Sequence, residues 1–334
     1  MAGFRLGPED ERPHKADASP NFNESVYMNA FDPARRMGGW MRLGNRVNEG
    51  HAELSVCFYL PDGRIACQFK RPAIAVNDRF EAGGLKVDVV EPFTHLTMRY
   101  EGEVMLLADA ALLRNPEAAF KMAPRAEAEI VWDQRAASPL HGGEPLSADQ
   151  ETMYGRDFSL GHFNQHTRVT GEIRIGDQRW PVEGQGWRDH SWGPRYWTAI
   201  WAYRLFIANF ADGRALMLLK ISDKSGRARR LGVLLVDGAY EEVIDLDVIT
   251  TRWTADLDPA EMLIGVRTGK RAAQISGKVI TMAPLRNRRK AGEEVLISRI
   301  AEGFTEFSWD GVQGFGMSEY IERLEDGRPV GYPL

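Results

Sequence analysis

Asp-Gly and Gly-Asp pairs punctuate this chain at 62–63, 176–177, 212–213 and 237–238, each between runs rich in β-branched and aromatic residues. Such pairs supply the left-handed backbone of a tight hairpin, and the runs around them have strand composition. "HAELSVCFYL" and "RIACQFKRPAIAV" flank the first turn, at Pro61-Asp62-Gly63. "HFNQHTRVTGEIRIGDQRWPVEGQG", "TAIWAYRLFIANFADGRALMLLKIS" and "RRLGVLLVDGAYEEV" carry the other three. Turns at this spacing predict antiparallel meanders, not βαβ units. The best helical stretch of the first half, "RNPEAAFKMA" at 114–123, is short, and no Gly-rich phosphate loop opens a helix. The expected fold class is all-β. The Pro-, Gly- and Ser-rich "SPLHGGEPLSAD" at 138–149 predicts the crossing between two domains, 1–150 with a polar N-terminal arm and 151–334.

With 334 residues, the chain can bury a core without disulfides or structural metals. A net charge of −5 and the lack of a basic arm make nucleic acid a poor partner. Arg227, Arg229 and Arg230, and then Arg286, Arg288, Arg289 and Lys290, read as solvated loop tips. The first 25 residues contain no apolar signal core. No apolar run approaches the ~18 residues of a membrane span. The expectation is a cytoplasmic protein without a transmembrane segment. The two cysteines, Cys57 and Cys67, flank the first turn. A three-residue loop pairs Leu60 with Arg64 and sets Cys57 opposite Cys67, whereas a two-residue loop puts the cysteines on opposite faces. In a reducing compartment both are expected as free thiols.

The densest chemistry lies in "EGQGWRDHSWGPRYW", residues 183–197. In an extended strand Arg188, His190 and Trp192 share one face, and Trp187, Asp189 and Ser191 share the other. The next strand offers Trp201 and Tyr203 on one face. Burying an unpaired charge costs several kcal/mol, so three ionisable groups among so many rings point to a site in an aromatic cavity. His162 and His166 fall on one strand face and raise the option of a metal shared with His190, but the spacing is common and no HExxH pattern supports it. No metal and no cofactor are expected. In the closing hairpin "SWDGVQGFGMSEYIERL", Glu319 and Tyr320 take opposite faces, so one of them points inward.

"GQGWRDHSWGPR" resembles the central motif of the superfamily that includes carotenoid 1,2-hydratases (hydroxyneurosporene synthases), AttH-type proteins and fungal kievitone hydratases. More closely, "ESVYMNAFDP" (24–33), "YLPDGR" (59–64), "HFNQH", "RDHSWGPR" and "GFGMSEY" resemble a family of bacterial two-domain proteins, over about residues 20 to 324. The resemblance implies two lipocalin-like antiparallel β-barrel or sandwich units packed together, with a hydrophobic ligand cavity. The hydratase motif runs close to "GYHDHNWG"; His190 and Trp192 match it, while Arg188 and Ser191 depart from it.

Hydrating a prenyl double bond needs a carboxylic acid with a raised pKa, aromatic faces that stabilise the cation by ~2 kcal/mol or more, and a base that positions water. Asp189 is the candidate acid and His190 the base or orienter. Trp192, Trp201 and Tyr203 form the candidate wall, with Tyr203 also a candidate catalytic group. Arg188, Trp187 and Glu319 complete the candidate substrate contacts. An Arg188–Asp189 ion pair would instead give Asp189 a structural role. Two readings stand. One is a hydratase, isomerase or cyclase, a lyase or isomerase acting by acid–base chemistry on a hydrophobic terpenoid- or steroid-like molecule. The other is a non-catalytic carrier of lipophilic ligands. A homodimer is an open option.

Overall fold

A computed structural model describes every residue except 1–2, 198–199 and 292. The chain is all-β, 65% strand and 6% helix. Eight strands build the first barrel: β1 (Phe22–Asp32), β2 (Met37–Arg46), β3 (His51–Tyr59), β4 (Ile65–Lys70), β5 (His95–Leu107), β6 (Arg125–Ala136), β7 (Gly161–Ile175) and β8 (Gln178–Pro194). Each pairs antiparallel with the next, and β8 returns to β1, so the sheet closes on itself. Eight more build the second: β9 (Ala202–Phe210), β10 (Ala215–Ser222), β11 (Ala228–Val236), β12 (Ala239–Trp253), β13 (Pro259–Thr268), β14 (Ala272–Ala291), β15 (Glu294–Trp309) and β16 (Val312–Glu325). Here β16 returns to β9. Closure leaves no unpaired edge, and an eight-strand barrel has an interior that side chains can fill.

The interiors follow the alternation. Val26, Met28, Met41, Leu43, Phe58 and Trp132 pack inside the first barrel. Phe206, Phe210, Leu218, Ile264, Trp309 and Tyr320 pack inside the second. The hairpins turn where the sequence places them; Asp237 and Gly238 both take the left-handed φ of a type I′ turn, at 51° and 76°. The first turn is the three-residue kind: Leu60 N–H donates to Arg64 O at 2.9 Å, and Cys57 lies opposite Cys67. Both thiols are free and buried, and burial pushes the Cys67 thiol up to about 12. The expected helix forms at Pro116–Met122, capped by the Asn115 side chain.

Two expectations fail. The domain division is not at residue 150. The first compact unit comprises residues 1–107 and 124–196, and the second 108–123 and 197–334. The 138–149 stretch lies inside the first unit, where His141–Pro145 pairs with β7. The motif strand β8 belongs to the first barrel because its partner, β1, lies more than 150 residues earlier. It is therefore not carried by a C-terminal domain. Nor are Arg286–Lys290 a loop tip: they pair along β14 with β15, and burial lowers the pKa of Arg286. No helix among the described residues is long and apolar enough to cross a membrane.

Candidate functional site

Strand β8 has two buried faces, and the expected residues divide between them as the alternation requires. Arg188, His190 and Trp192 face the interior of the first barrel, beside the inward Met28, Val26 and Glu24 of β1. The polar segment at residues 10–14 supplies their partners. Arg188, 2% exposed, donates to both carboxylate oxygens of Glu11 at 2.7 and 3.0 Å, and to Gln165 Oε1 at 3.1 and 2.9 Å. It is held by Glu11, and the Arg188–Asp189 pair does not form, because successive residues of a strand point to opposite faces. His190 Nε2 meets Glu24 Oε1 at 2.8 Å, and His14 Nδ1 meets the same oxygen at 2.7 Å. His14 Nε2 in turn reaches Asp10 Oδ1 at 3.1 Å. Burial works against charge on His14, but Glu24 and then Asp10 outweigh it and raise its pKa. Burial likewise tends to raise Glu24, and His14 and His190 outweigh it and lower it. The Trp192 indole stacks on His14, centroids 3.9 Å apart. Gly161 makes room for it: a Cβ there would sit 2.1 Å from the indole ring.

Trp187, Asp189 and Ser191 lie on the outer face, level with His166, Asn164 and His162 of β7 and with Asn29, Tyr27 and Ser25 of β1. Asp189 Oδ2 accepts from the Tyr154 hydroxyl at 3.3 Å and lies 3.5 Å from His162 Nε2. Burial holds the His162 imidazole below its ordinary pKa. Arg195 donates to Ser191 Oγ at 2.7 Å. Asn164 Oδ1 and Trp187 Nε1 are buried with no hydrogen-bond partner among the described residues, which is uncommon for buried polar atoms. This parity also separates the three histidines considered for a metal: His162 and His166 are outside the barrel wall and His190 inside.

Trp201, Tyr203 and Glu319 belong to the second unit. Tyr203 and Glu319 lie on the outer face of that barrel; Tyr320 is the inward partner in the closing hairpin, buried among the core aromatics. Lys224 Nζ lies 5.6 Å over the Trp201 ring. Along β9 the outward residues are Tyr203, Leu205 and Ile207, all buried, and Glu319 pairs with Leu205. On the other side Glu319 pairs with Glu302 of β15, which is 7% exposed and hydrogen-bonded to it. Phe304 and Met317, both buried, occupy the next level of the face. Burial first, and then the adjoining Glu319 carboxylate, push the Glu302 carboxyl well above the ordinary carboxylate range. Two carboxyls so placed cannot both be charged without severe cost, which favours the protonated form of Glu302.

Glu302 is the group the sequence reading missed. Its signal was the lone charge between Ile300 and Phe304 on one face of an apolar strand. Glu24, Glu11 and His14 were also missed, because they reach β8 from distant parts of the chain.

The architecture is that of several solved proteins. A putative AttH from Nitrosomonas europaea is similar over 96% of this chain and 97% of its own, with TM-score 0.61 and 15% identity. Kievitone hydratase from Nectria haematococca is similar over 96% of this chain and 93% of its own, with TM-score 0.56 and 9% identity. CghA is similar over 98% and 96%, with TM-score 0.58 and 12% identity. At these identities the likeness establishes the shared fold alone. No curated protein matches the sequence. The match that sets its family spans residues 7–323, nearly the whole chain, and by it the protein belongs to the family described as domain of unknown function DUF7064.

Proposed function

We propose that the protein is an acid–base enzyme of the hydratase or cyclase type, acting on a hydrophobic small molecule of terpenoid or steroid character, with Glu302 as the proton donor. The observation that carries this reading is the buried Glu302, set directly across from the partly exposed Glu319 on an otherwise apolar face of the second barrel. A carboxyl among Leu205, Phe304 and Met317 is kept in its protonated form, because its surroundings do not stabilise the anion, and is therefore available as a general acid. In a hydration, the Glu302 proton passes to one carbon of a C=C bond, and the cation left on the other carbon is captured by water. The proton released by that water returns to the carboxylate pair, so the enzyme is regenerated. In an isomerisation or cyclisation, loss of a proton from carbon or internal attack replaces the water step. Tyr203, on the same face two residues from the partner of Glu319, is proposed to stabilise the cation, with Trp201 two residues before it in sequence. In the first unit, Asp189 with His162 remains a candidate acid–base pair, whereas His190, committed to Glu24, is proposed as a positioning residue. The hydratase named among the similar folds supports the reaction class.

The test is incubation with a panel of prenylated and polycyclic alkenes in D2O, read by mass spectrometry. Turnover with one deuterium incorporated at carbon, lost by about 10²–10⁴-fold in Glu302→Gln, is the expected result. Tight binding without deuterium uptake, unchanged in Glu302→Gln, would replace the enzyme by a carrier.

A further inference from the structure

The interior cluster at His14, Glu24 and His190 has a geometry that its hydrogen bonds alone do not require. Two imidazole nitrogens from distant parts of the chain converge on one carboxylate oxygen, at 2.7 and 2.8 Å. The three ligand-type atoms lie within 4.8 Å of one another. Two of the three groups are also held from behind. Glu24 Oε2 accepts the His14 backbone N–H at 2.8 Å and the Asn77 amide at 2.5 Å, which leaves Oε1 for the cluster. His14 Nε2 is bound to Asp10, the carboxylate–histidine arrangement that orients a ligating imidazole. Stacking on Trp192 fixes the plane of the His14 ring.

The charges point the same way. Glu11 is neutralised by Arg188 through two hydrogen bonds. Glu24 is fully buried, and among the described residues no arginine or lysine forms an ion pair with it. His14 is one-fifth exposed, so the cluster has a route to solvent. From this geometry we propose that His14, Glu24 and His190 form a binding site for a divalent cation of the Zn²⁺ class. Two imidazoles and one carboxylate are a ligand set that such ions take, and it leaves a fourth position for water. Tetrahedral bonds of about 2.0–2.1 Å set ligand atoms about 3.3 Å apart, so each nitrogen would draw back from the Glu24 oxygen by about half an ångström on loading. Because His14 comes from the N-terminal segment and Glu24 and His190 from β1 and β8, the ion clips that segment to the barrel. The site does not depend on the proposed chemistry at Glu302.

The test uses the full-length chain, stripped with a chelator and titrated with Zn²⁺ by calorimetry and with Co²⁺ by visible absorption. One ion per chain, the d–d bands of a low-coordinate Co²⁺ with imidazole ligands, and a higher melting temperature are expected. Asp10→Asn should weaken the affinity about 10–100-fold. His14→Ala, a change at a partly exposed side chain that leaves the fold intact by circular dichroism, should abolish stoichiometric binding, and Glu302→Gln should not alter it. Absence of stoichiometric binding by millimolar Zn²⁺, or equal affinity in wild type and His14→Ala, would overturn the site. If His190→Ala does not fold, the His14 variant alone decides.

Discussion

Buried ionisable groups occur in both barrels, and the two clusters obey opposite rules. Inside the first barrel, each buried carboxylate meets a partner that favours its charged form: Glu11 has Arg188, and Glu24 has hydrogen bonds from His14 and His190. Every partner reduces the cost of burying the other, and the second barrel repeats this design inside its own wall, where Glu322 is held by Arg204 and Arg299. On the outer face of the second barrel, Glu302 and Glu319 put like charges together in apolar surroundings. That arrangement opposes folding unless a proton is retained. A pair of opposite charges such as Arg188 and Glu11 explains itself by stability. A cluster that raises its own energy needs another reason, and a poised proton donor supplies one.

The contrast predicts opposite responses to mutation. The largest effect is expected at Arg188. Arg188→Ala leaves Glu11 buried without its cation and should cost about 3–5 kcal/mol, measured by urea unfolding; a loss under 1 kcal/mol would mean that the interior cluster is not what holds the strand ends.

Glu302→Gln should go the other way as pH rises. The folded pKa of Glu302 lies above its unfolded value, so its contribution is fully present below the unfolded value, near 4.5, and is lost as pH rises through the folded one. Wild type should therefore lose stability with pH relative to Glu302→Gln, and parallel pH profiles would break the comparison.

The smallest effect is expected at Asp189, which touches a tyrosine hydroxyl and an imidazole but no arginine. Asp189→Asn should cost about 1 kcal/mol or less, the value of an ordinary hydrogen bond. A loss as large as that of Arg188→Ala would show that Asp189 is buried as a paired charge after all.

How much of this could be read from the residues follows from the range of the interactions. The hairpins are local, and Pro61-Asp62-Gly63 contains enough to set Leu60 against Arg64 and Cys57 against Cys67. The alternation along 187–192 is local too, and it separates Arg188, His190 and Trp192 from Trp187 and Asp189. Which face turns inward is not local. The usual cue, a polar outer face, is missing because Tyr203, Leu205, Ile207 and Trp187 are buried outside their barrels. The placement of β8 was lost for the same reason: its pairing with β1 spans most of the first unit, while the Gly- and Pro-rich 138–149 stretch has the composition of a linker and the pairing of an edge strand. Glu302 was legible in part, as one charge in an apolar alternation. Its pairing with Glu319 needed the β15–β16 register.

At the centre stands a Glu302 that holds its proton at neutral pH because it is buried and because Glu319 lies directly across from it. Infrared difference spectroscopy between wild type and Glu302→Gln at pH 7 tests this directly. Wild type is expected to show the C=O stretch of a protonated carboxyl that Glu302→Gln lacks, and in Glu319→Gln the band should titrate away at lower pH. A wild-type spectrum with only carboxylate bands at neutral pH would contradict it.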